Sequence, residues 1–112
     1  MEISHQPLSP DITIVHLHGR LDATANPIVR STLQKLINEK QLKIILDLKG
    51  VSFIDSSGLA ALVSGLRLAR EQAGNIVLSG AQPHAQTVFR LTMLDRVFSI
   101  HPTHEEAKQI LV

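Results

Sequence analysis

The sequence predicts a single α/β domain in which a mixed, mainly parallel sheet of about five strands packs with four helices. Short apolar runs alternate with stretches whose apolar side chains recur every three or four residues, a pattern typical of alternating strands and helices. Helical connections between strands favour parallel pairing. At 112 residues the chain is long enough for one hydrophobic core and too short for two of ordinary size. We therefore expect one domain over residues 1–112.

The chain begins with two segments that we expect to pair as a hairpin. The first covers residues 3–8, and the second covers residues 12–17, which are rich in β-branched side chains. Ser-Pro-Asp at residues 9–11 is a turn signal between them. Residues 19–22 are expected to break the second strand and lead into a helix.

The first predicted helix begins at Asn26-Pro27, with Asn26 as the cap and Pro27 at the first helical position. Asp22 or Thr24 are alternative caps one turn earlier. The helix is expected to end near Glu39. Its apolar side chains are spaced to form one inner stripe, made of Val29, Leu33, Leu36 and Ile37.

The middle of the chain reads as a strand, a polar corner and a second helix. Residues 43–48 are mostly apolar, as in a strand covered on both faces, and a short apolar piece follows at residues 51–54. Gly74-Asn75 is expected to stop the helix that comes next. Its predicted inner face consists of Leu59, Leu62, Val63, Leu66 and Ala69.

The last third of the chain repeats the alternation. A short strand is predicted at residues 76–78, a helix opening at Pro83, and a last strand at residues 97–100. Residues 103–106, Thr-His-Glu-Glu, form a capping box ahead of a fourth helix. The side chains expected to face the core are Val88, Leu91 and Leu94 in the third helix, and Ala107, Ile110 and Leu111 in the fourth.

Composition excludes several classes of protein. Eleven Lys and Arg against ten Asp and Glu give a net charge of +1, which argues against general binding to nucleic acid or membrane surfaces. The absence of cysteine excludes disulfides, thiolate catalysis and cysteine-based zinc sites. The N-terminus does not have the pattern of a signal peptide, and no apolar stretch approaches the length of a bilayer span. We expect a cytoplasmic protein without membrane insertion.

Residues 55–58, Asp-Ser-Ser-Gly, stand where the second helix starts. One small polar residue suffices to cap a helix, so three in a row indicate a corner that faces a partner or an enzyme. The alternative is a redundant cap. Asp22 and Asp55 lie at predicted strand ends, where they are expected either to sit close together at a functional edge or simply to cap their helices.

The sequence contains few residues that could form a catalytic or metal site. The usual phosphate-binding loops are missing. Ser57 occupies a strand-to-helix turn, as a hydrolase nucleophile would, and a small serine hydrolase using Ser57 with Asp22 or Asp55 remains an alternative, although no histidine base can be placed beside it. His16 and His18 share one strand face and could reach one metal, but without a third ligand a solvated pair is favoured. We expect no cofactor and no metal.

Two motifs then identify a family resemblance. Phe-Ile-Asp-Ser-Ser-Gly-Leu at residues 53–59, with Gly-Arg-Leu-Asp-Ala at residues 19–23 upstream, resembles the STAS domain family of bacterial anti-sigma-factor antagonists. The resemblance covers essentially the whole chain. Family members commonly have a Gly-Leu pair where this chain has Met93-Leu94, so the end of the third helix is expected to differ.

The resemblance implies a regulatory binding module with no catalysis of its own. Such an antagonist binds an anti-sigma factor and releases a sigma factor. The anti-sigma factor is often a serine kinase that phosphorylates the second serine of the motif, and a phosphatase would reverse the reaction. The implied phosphoacceptor is Ser57, with Ser56 as the alternative. The implied docking corner contains Asp22, Asp55, Ser56, Ser57, Gly58 and Leu59. The alternative is a STAS subunit that docks constitutively in a larger signalling or transport assembly.

Overall fold

Five strands form one sheet, side by side in chain order, in a computed structural model that describes residues 1–111. This confirms the predicted α/β architecture of about five strands with four helices. In chain order the elements are β1 (Glu2–Ser9), β2 (Ile12–Leu21), α1 (Asn26–Asn38), β3 (Lys43–Ile54), α2 (Ser56–Glu71), β4 (Asn75–Ser79), α3 (Pro83–Leu91), β5 (Ile100–His101) and α4 (His104–Leu111). A short 3₁₀ helix, Leu94–Arg96, follows α3.

The sheet is mixed, as the sequence predicts. β1 and β2 form the antiparallel hairpin, and the other three pairs of neighbouring strands are parallel. Each parallel pair is joined by a connection that contains a helix, because a chain leaving one end of the sheet must return to the other end. The connections through α1 and α2 both start at the edge where β2 and β3 end. That edge carries the candidate site.

Helices cover the two faces of the sheet unequally. The larger buried cluster joins side chains of α1, α2 and α3 to one face of the sheet, with Leu33, Leu62 and Phe89 among its members. The smaller cluster joins Ala107 and Leu111 of α4 to the opposite face. The core is therefore thickest on the side of the first three helices, and α4 protects only part of the other face.

The predicted strand break at residues 19–22 is wrong. β2 continues to Leu21, and its pairing with β3 shifts between His16 and His18 and again between Gly19 and Arg20. Gly19 has a φ of +113°, a conformation that glycine adopts at no steric cost. The two register shifts accommodate the extra residues of β3 without ending the strand. The two predicted pieces at 43–48 and 51–54 therefore merge into one strand, β3.

The last predicted strand is also wrong in its extent. Only Ile100 and His101 pair with β4, and residues 97–99 lie in the connection from the 3₁₀ helix. The apolar character of this stretch has a different cause. Phe98 is buried and meets Phe89 edge to face, with 6.1 Å between ring centroids. A packed turn therefore produced the apolar pattern that resembles a strand.

Three side chains predicted to face the core are exposed. The exposed fractions are 37% for Val63, 75% for Leu91 and 51% for Ile110, while Leu94 is half-buried. In α3 the buried residues are instead Ala85 and Phe89. They are four residues apart and so share one face of the helix, and this face leaves Leu91 pointing away from the core. Exposed apolar residues therefore concentrate on the outer sides of the helices.

At the end of α3, methionine occupies a backbone position that glycine usually takes. Met93 has φ +60° and ψ 15°, in the left-handed region that costs a non-glycine residue about 1–2 kcal/mol. Its side chain is 62% exposed and contributes little packing. The chain thus keeps a helix ending that glycine would form without strain.

Met93→Gly is expected to stabilise the protein by about 1 kcal/mol, because it removes this strain with little loss of buried surface. The melting temperature, followed by far-UV circular dichroism, should rise by about 4 °C. Gln34→Gly, at an exposed position inside α1, is the control and should lower the stability by up to about 1 kcal/mol. A Met93→Gly protein that melts below the parent would contradict this interpretation.

Candidate functional site

The candidate site lies where β2 and β3 end side by side. Leu21 pairs with Ile54 in the last register position, so Asp22 and Asp55 leave the sheet from the same edge. The backbone N–H of Asp55 donates to the carbonyl oxygen of Leu21 at 3.2 Å, which extends the contact one residue beyond the strands. The two predicted carboxylate positions are therefore neighbours, as expected for strand ends in a parallel sheet.

Asp55 is the residue that caps α2. Its backbone is extended (φ −120°, ψ −176°), and its Oδ1 accepts a hydrogen bond from the backbone N–H of Gly58 at 2.9 Å. Neither serine hydroxyl takes part in this cap. Ser56 is exposed and Ser57 is half-buried on the first turn of the helix. One of the three polar residues thus explains the helix start, and two are left for another role.

Gly58 permits a close approach between α2 and β2. A Cβ atom at this position would lie 1.9 Å from the carbonyl oxygen of Leu21, closer than any non-bonded contact allows. The next residue, Leu59, is only 7% exposed and belongs to the larger core cluster. Both residues were expected in the docking corner. The structure places them beneath it, where they determine how α2 sits on the sheet.

Asn26 joins the two helices that meet at the corner. Its Nδ2 donates to the backbone carbonyl oxygen of Ser57 at 2.6 Å. The prediction that Asn26 caps α1 is wrong: Ala25 occupies the cap position and no side chain makes the cap bond. A contact between residues so far apart in the chain leaves no mark in local sequence, and sequence reasoning therefore missed it.

Asp22, the alternative cap, instead organises the turn before α1, since the cap position belongs to Ala25. Its Oδ1 accepts hydrogen bonds from the backbone N–H groups of Thr24 and Ala25, both at 3.1 Å. Its Oδ2 lies 3.6 Å from Nε of Arg20. The carboxylate is thereby fixed in direction, with one oxygen bound to the backbone and the other beside a positive charge.

Arg20 is the second residue of the corner that sequence reasoning missed. Arg20 and Phe53 are paired across β2 and β3, and the guanidinium carbon lies 4.1 Å from the centre of the Phe53 ring. Such a cation–π contact is worth about 0.5–1 kcal/mol at an exposed site. It holds the guanidinium over the sheet edge. The corner therefore presents two serine hydroxyls, two carboxylates and one arginine.

The two histidines of β2 lie on the part of the sheet that α4 does not cover. Nδ1 of His16 is 2.7 Å from Oδ2 of Asp47, its register partner in β3. The ring of His18 packs over Gly50, where an added Cβ would come within 2.7 Å of it. Across residues 1–111, no group of three or more His, Cys, Asp or Glu side chains is arranged to hold a metal ion. Asp47, which the sequence left without a role, is the partner of His16.

None of the helices in the described part of the chain is long and apolar enough to span a membrane.

Comparison with known proteins gives consistent matches over most of the chain. A family model described as "STAS domain" matches residues 6–107. The "Anti-sigma F factor antagonist" of Paenibacillus polymyxa is 30% identical over 95 residues, which cover 84% of this chain and 79% of that protein. The similarity therefore extends well beyond the short motif at the start of α2.

Solved structures of similar proteins have the same fold as this chain. An anti-sigma-factor antagonist (STAS) domain protein from Planctomyces limnophilus superposes with a TM-score of 0.83 at 26% identity, covering 97% of each chain. The Bacillus cell fate determinant SpoIIAA in its phosphorylated form gives a TM-score of 0.75 at 22% identity, covering 97% of this chain and 99% of that one. The second comparison establishes a shared fold.

Asp55→Ala is expected to lower the free energy of unfolding by about 1 kcal/mol, because the backbone N–H of Gly58 loses its acceptor. Ser56→Ala should change it by less than about 0.5 kcal/mol, since Ser56 is exposed and does not make the cap bond. Urea denaturation of the two variants beside the parent measures both values. An equal loss in the two variants would show that the capping role is shared.

Gly58→Ala is expected to cost about 3 kcal/mol, because its methyl group would overlap the carbonyl oxygen of Leu21 and force α2 away from β2. Gly80→Ala is the control at a glycine outside the site. Gly80 has a φ of +67°, and an added Cβ there would lie no closer than 3.3 Å to any atom. It should therefore cost only about 1 kcal/mol. A Gly58→Ala protein as stable as the parent would refute the close approach.

Proposed function

The chain belongs to the STAS domain family, and we propose that it acts as an anti-sigma factor antagonist. In this role the single domain binds an anti-sigma factor in the cytoplasm and thereby releases a sigma factor, without catalysis of its own. The names of its relatives support the partner class. The observation that carries the proposal is the polar corner at the start of α2, where Ser56 is exposed and Ser57 half-buried, and which the helix cap alone does not require.

We place the switch at Ser57, with Ser56 as the alternative acceptor. Ser57 lies on the first turn of α2, where free backbone N–H groups and the positive end of the helix dipole favour a phosphate by about 0.3–1 kcal/mol. Its backbone carbonyl oxygen accepts a hydrogen bond from Asn26, which fixes the first turn on which the hydroxyl stands. The kinase would be the anti-sigma factor itself, and a phosphatase would restore the binding form.

Phosphorylation would act on binding and leave the fold intact. A phosphate adds about −1.5 to −2 charges beside Asp22 and Asp55. A partner seated on this corner would have to accommodate its bulk and remove water from a dianion close to two carboxylates. A loss of ~3 kcal/mol in binding free energy weakens the affinity roughly a hundredfold. That is sufficient to switch a complex off.

The docking surface consists of the exposed and half-buried residues of the corner, and the fully buried ones support it. Asp22, Asp55, Ser56 and Ser57 are the contact residues of the proposal, and Arg20 joins them because its guanidinium is held over the same edge. Gly58 and Leu59 act from below by setting the position of the helix. A rigid corner of this kind loses little entropy on binding.

The hydrolase alternative has less support. Nucleophilic catalysis by Ser57 would require a histidine base within hydrogen-bond reach. The polar contacts around Ser57 are those that organise the backbone, through Asn26 and the Asp55 cap.

The alternative of constitutive docking in a larger assembly uses the same corner and differs only in whether Ser57 is modified.

Ser57→Asp is expected to weaken binding to the cognate anti-sigma factor by about tenfold or more, because it brings a third carboxylate to the corner. Isothermal titration calorimetry measures the affinity, and far-UV circular dichroism should match the parent. Ser31→Asp places the same charge on the exposed side of α1 and is the control. Equal affinity of Ser57→Asp and the parent would contradict the switch.

Ser57→Ala is expected to bind the anti-sigma factor and to take up no phosphate from it. Incubation with the partner and ATP, followed by mass spectrometry of the intact protein, measures the phosphate. If Ser57→Ala is fully phosphorylated and Ser56→Ala is not, the acceptor is Ser56.

A further inference from the structure

A groove of about 400 Å³ runs along the outer side of α2, well away from the serine corner. It lies between the C-terminal half of this helix and the segment that follows the 3₁₀ helix. Its lining residues are Val63, Leu66, Arg67, Arg70, Glu71 and Val97. Val63 and Val97 are more than a third exposed although both are large apolar residues, so the groove presents apolar surface to solvent.

A second depression of about 350 Å³ continues the groove towards α1. It shares Val63 and Arg67 with the first and adds Arg30, Ala60 and Ser64. The two together form a single concave surface along one side of α2, which we call the α2 strip. Its length follows the helix for several turns, which suits an elongated ligand better than a small molecule.

The α2 strip has a fixed shape. Leu66 forms its floor and is only 2% exposed. Nη2 of Arg70 donates to the carbonyl oxygen of Val97 at 3.1 Å, so this side chain bridges the two walls of the groove. The bond uses one of the five N–H groups of the guanidinium, so four further donors remain for a ligand or for water.

The charge of the α2 strip is unbalanced. Three arginines line it, Arg30, Arg67 and Arg70, against one acidic residue, Glu71. The whole chain has a net charge of +1, so this surface is more basic than the average surface of the protein. The ion pairs within residues 1–111 involve other basic groups, namely His16, Arg20, Lys43 and His104. The three arginines are therefore available to carboxylates of a partner.

From this apolar floor flanked by arginines, we infer that the α2 strip binds an acidic amphipathic helix of a partner protein. Leucine-type side chains on one face of such a helix fill the space between Val63 and Val97. Glutamates beside that face pair with Arg67 and Arg70, and bidentate pairing with a carboxylate suits the guanidinium group. Helix-in-groove recognition of this kind uses anchors spaced three and four residues apart.

The arginine anchors of the α2 strip, Arg67 and Arg70, lie far from the serine switch, although the strip begins at Ala60, about one turn from Ser57. At about 1.5 Å per residue, Ser57 and Arg70 lie about 20 Å apart along α2. At physiological ionic strength that distance exceeds the screening length of about 8 Å, so a phosphate on Ser57 has little effect on charges at Arg70. A partner anchored at Arg67 and Arg70 would therefore remain attached in both states of Ser57.

The test uses a synthetic peptide of about 18 residues, with leucines spaced for one helix face and glutamates beside them, titrated into the ¹⁵N-labelled full chain. Amide shifts are expected at Val63, Arg67, Arg70 and Val97. Arg67→Glu should weaken the affinity by about tenfold or more, because it places a repelling charge on the strip. Lys35→Glu, the same charge change on the outer side of α1, should leave the affinity unchanged.

Three results would overturn the inference. The first is equal binding of a peptide with lysines in place of the glutamates, and the second is amide shifts centred elsewhere on the chain. The third is a concentration-dependent shift of the strip amides without peptide, which would indicate that a second copy of the chain binds there. Ser57→Asp should bind the peptide as the parent does. This separates a failure of the α2 strip from a failure of the serine switch, because each has its own ligand and its own variant.

Discussion

The structure of the corner depends on one contact, the approach of the first turn of α2 to the last residue of β2. The carbonyl oxygen of Leu21 accepts the N–H of Asp55 and lies where a side chain of residue 58 would have to be. Only glycine fits, so the helix start is fixed against the sheet edge. Asp55 then caps the helix, Asn26 ties its first turn to α1, and both serines are presented on a rigid support.

A rigid support would allow charge alone to control binding, as the proposed switch at Ser57 requires. A phosphate at a helix N-terminus meets backbone N–H groups that already point at it, so we expect the domain to tolerate the modification. The carboxylates of Asp22 and Asp55 are held in place by backbone hydrogen bonds and do not turn away from the new charge. The cost of the phosphate would therefore fall on the complex with the partner, and the arginine anchors of the α2 strip on the far half of the helix would be little affected.

The alternation of strands and helices was predictable because the spacing of apolar residues follows which side chains are buried. This alternation in turn predicted the mixed sheet and the position of the polar corner. Periodicity predicted the wrong structure where a turn and a strand bury the same residues, as in the packed turn around Phe98. It also divided residues 43–54 into two pieces, because their merging into β3 depends on bulges that arise in the pairing with β2. Within the site, Asp55 was predictable as a local cap. The roles of Asn26, Arg20 and the Leu21 carbonyl depend on contacts between distant parts of the chain, which no local pattern encodes.

The most direct test of a switch that changes charge without changing the fold is a comparison of ¹H–¹⁵N spectra. The protein would be made with serine or with phosphoserine at position 57. We expect the shift changes to be confined to the corner, in the first turn of α2 and in residues 20–26, with the amides of β4 and α4 unmoved. Changes spread across the sheet to α4 would contradict this account and would indicate that phosphorylation rearranges the domain.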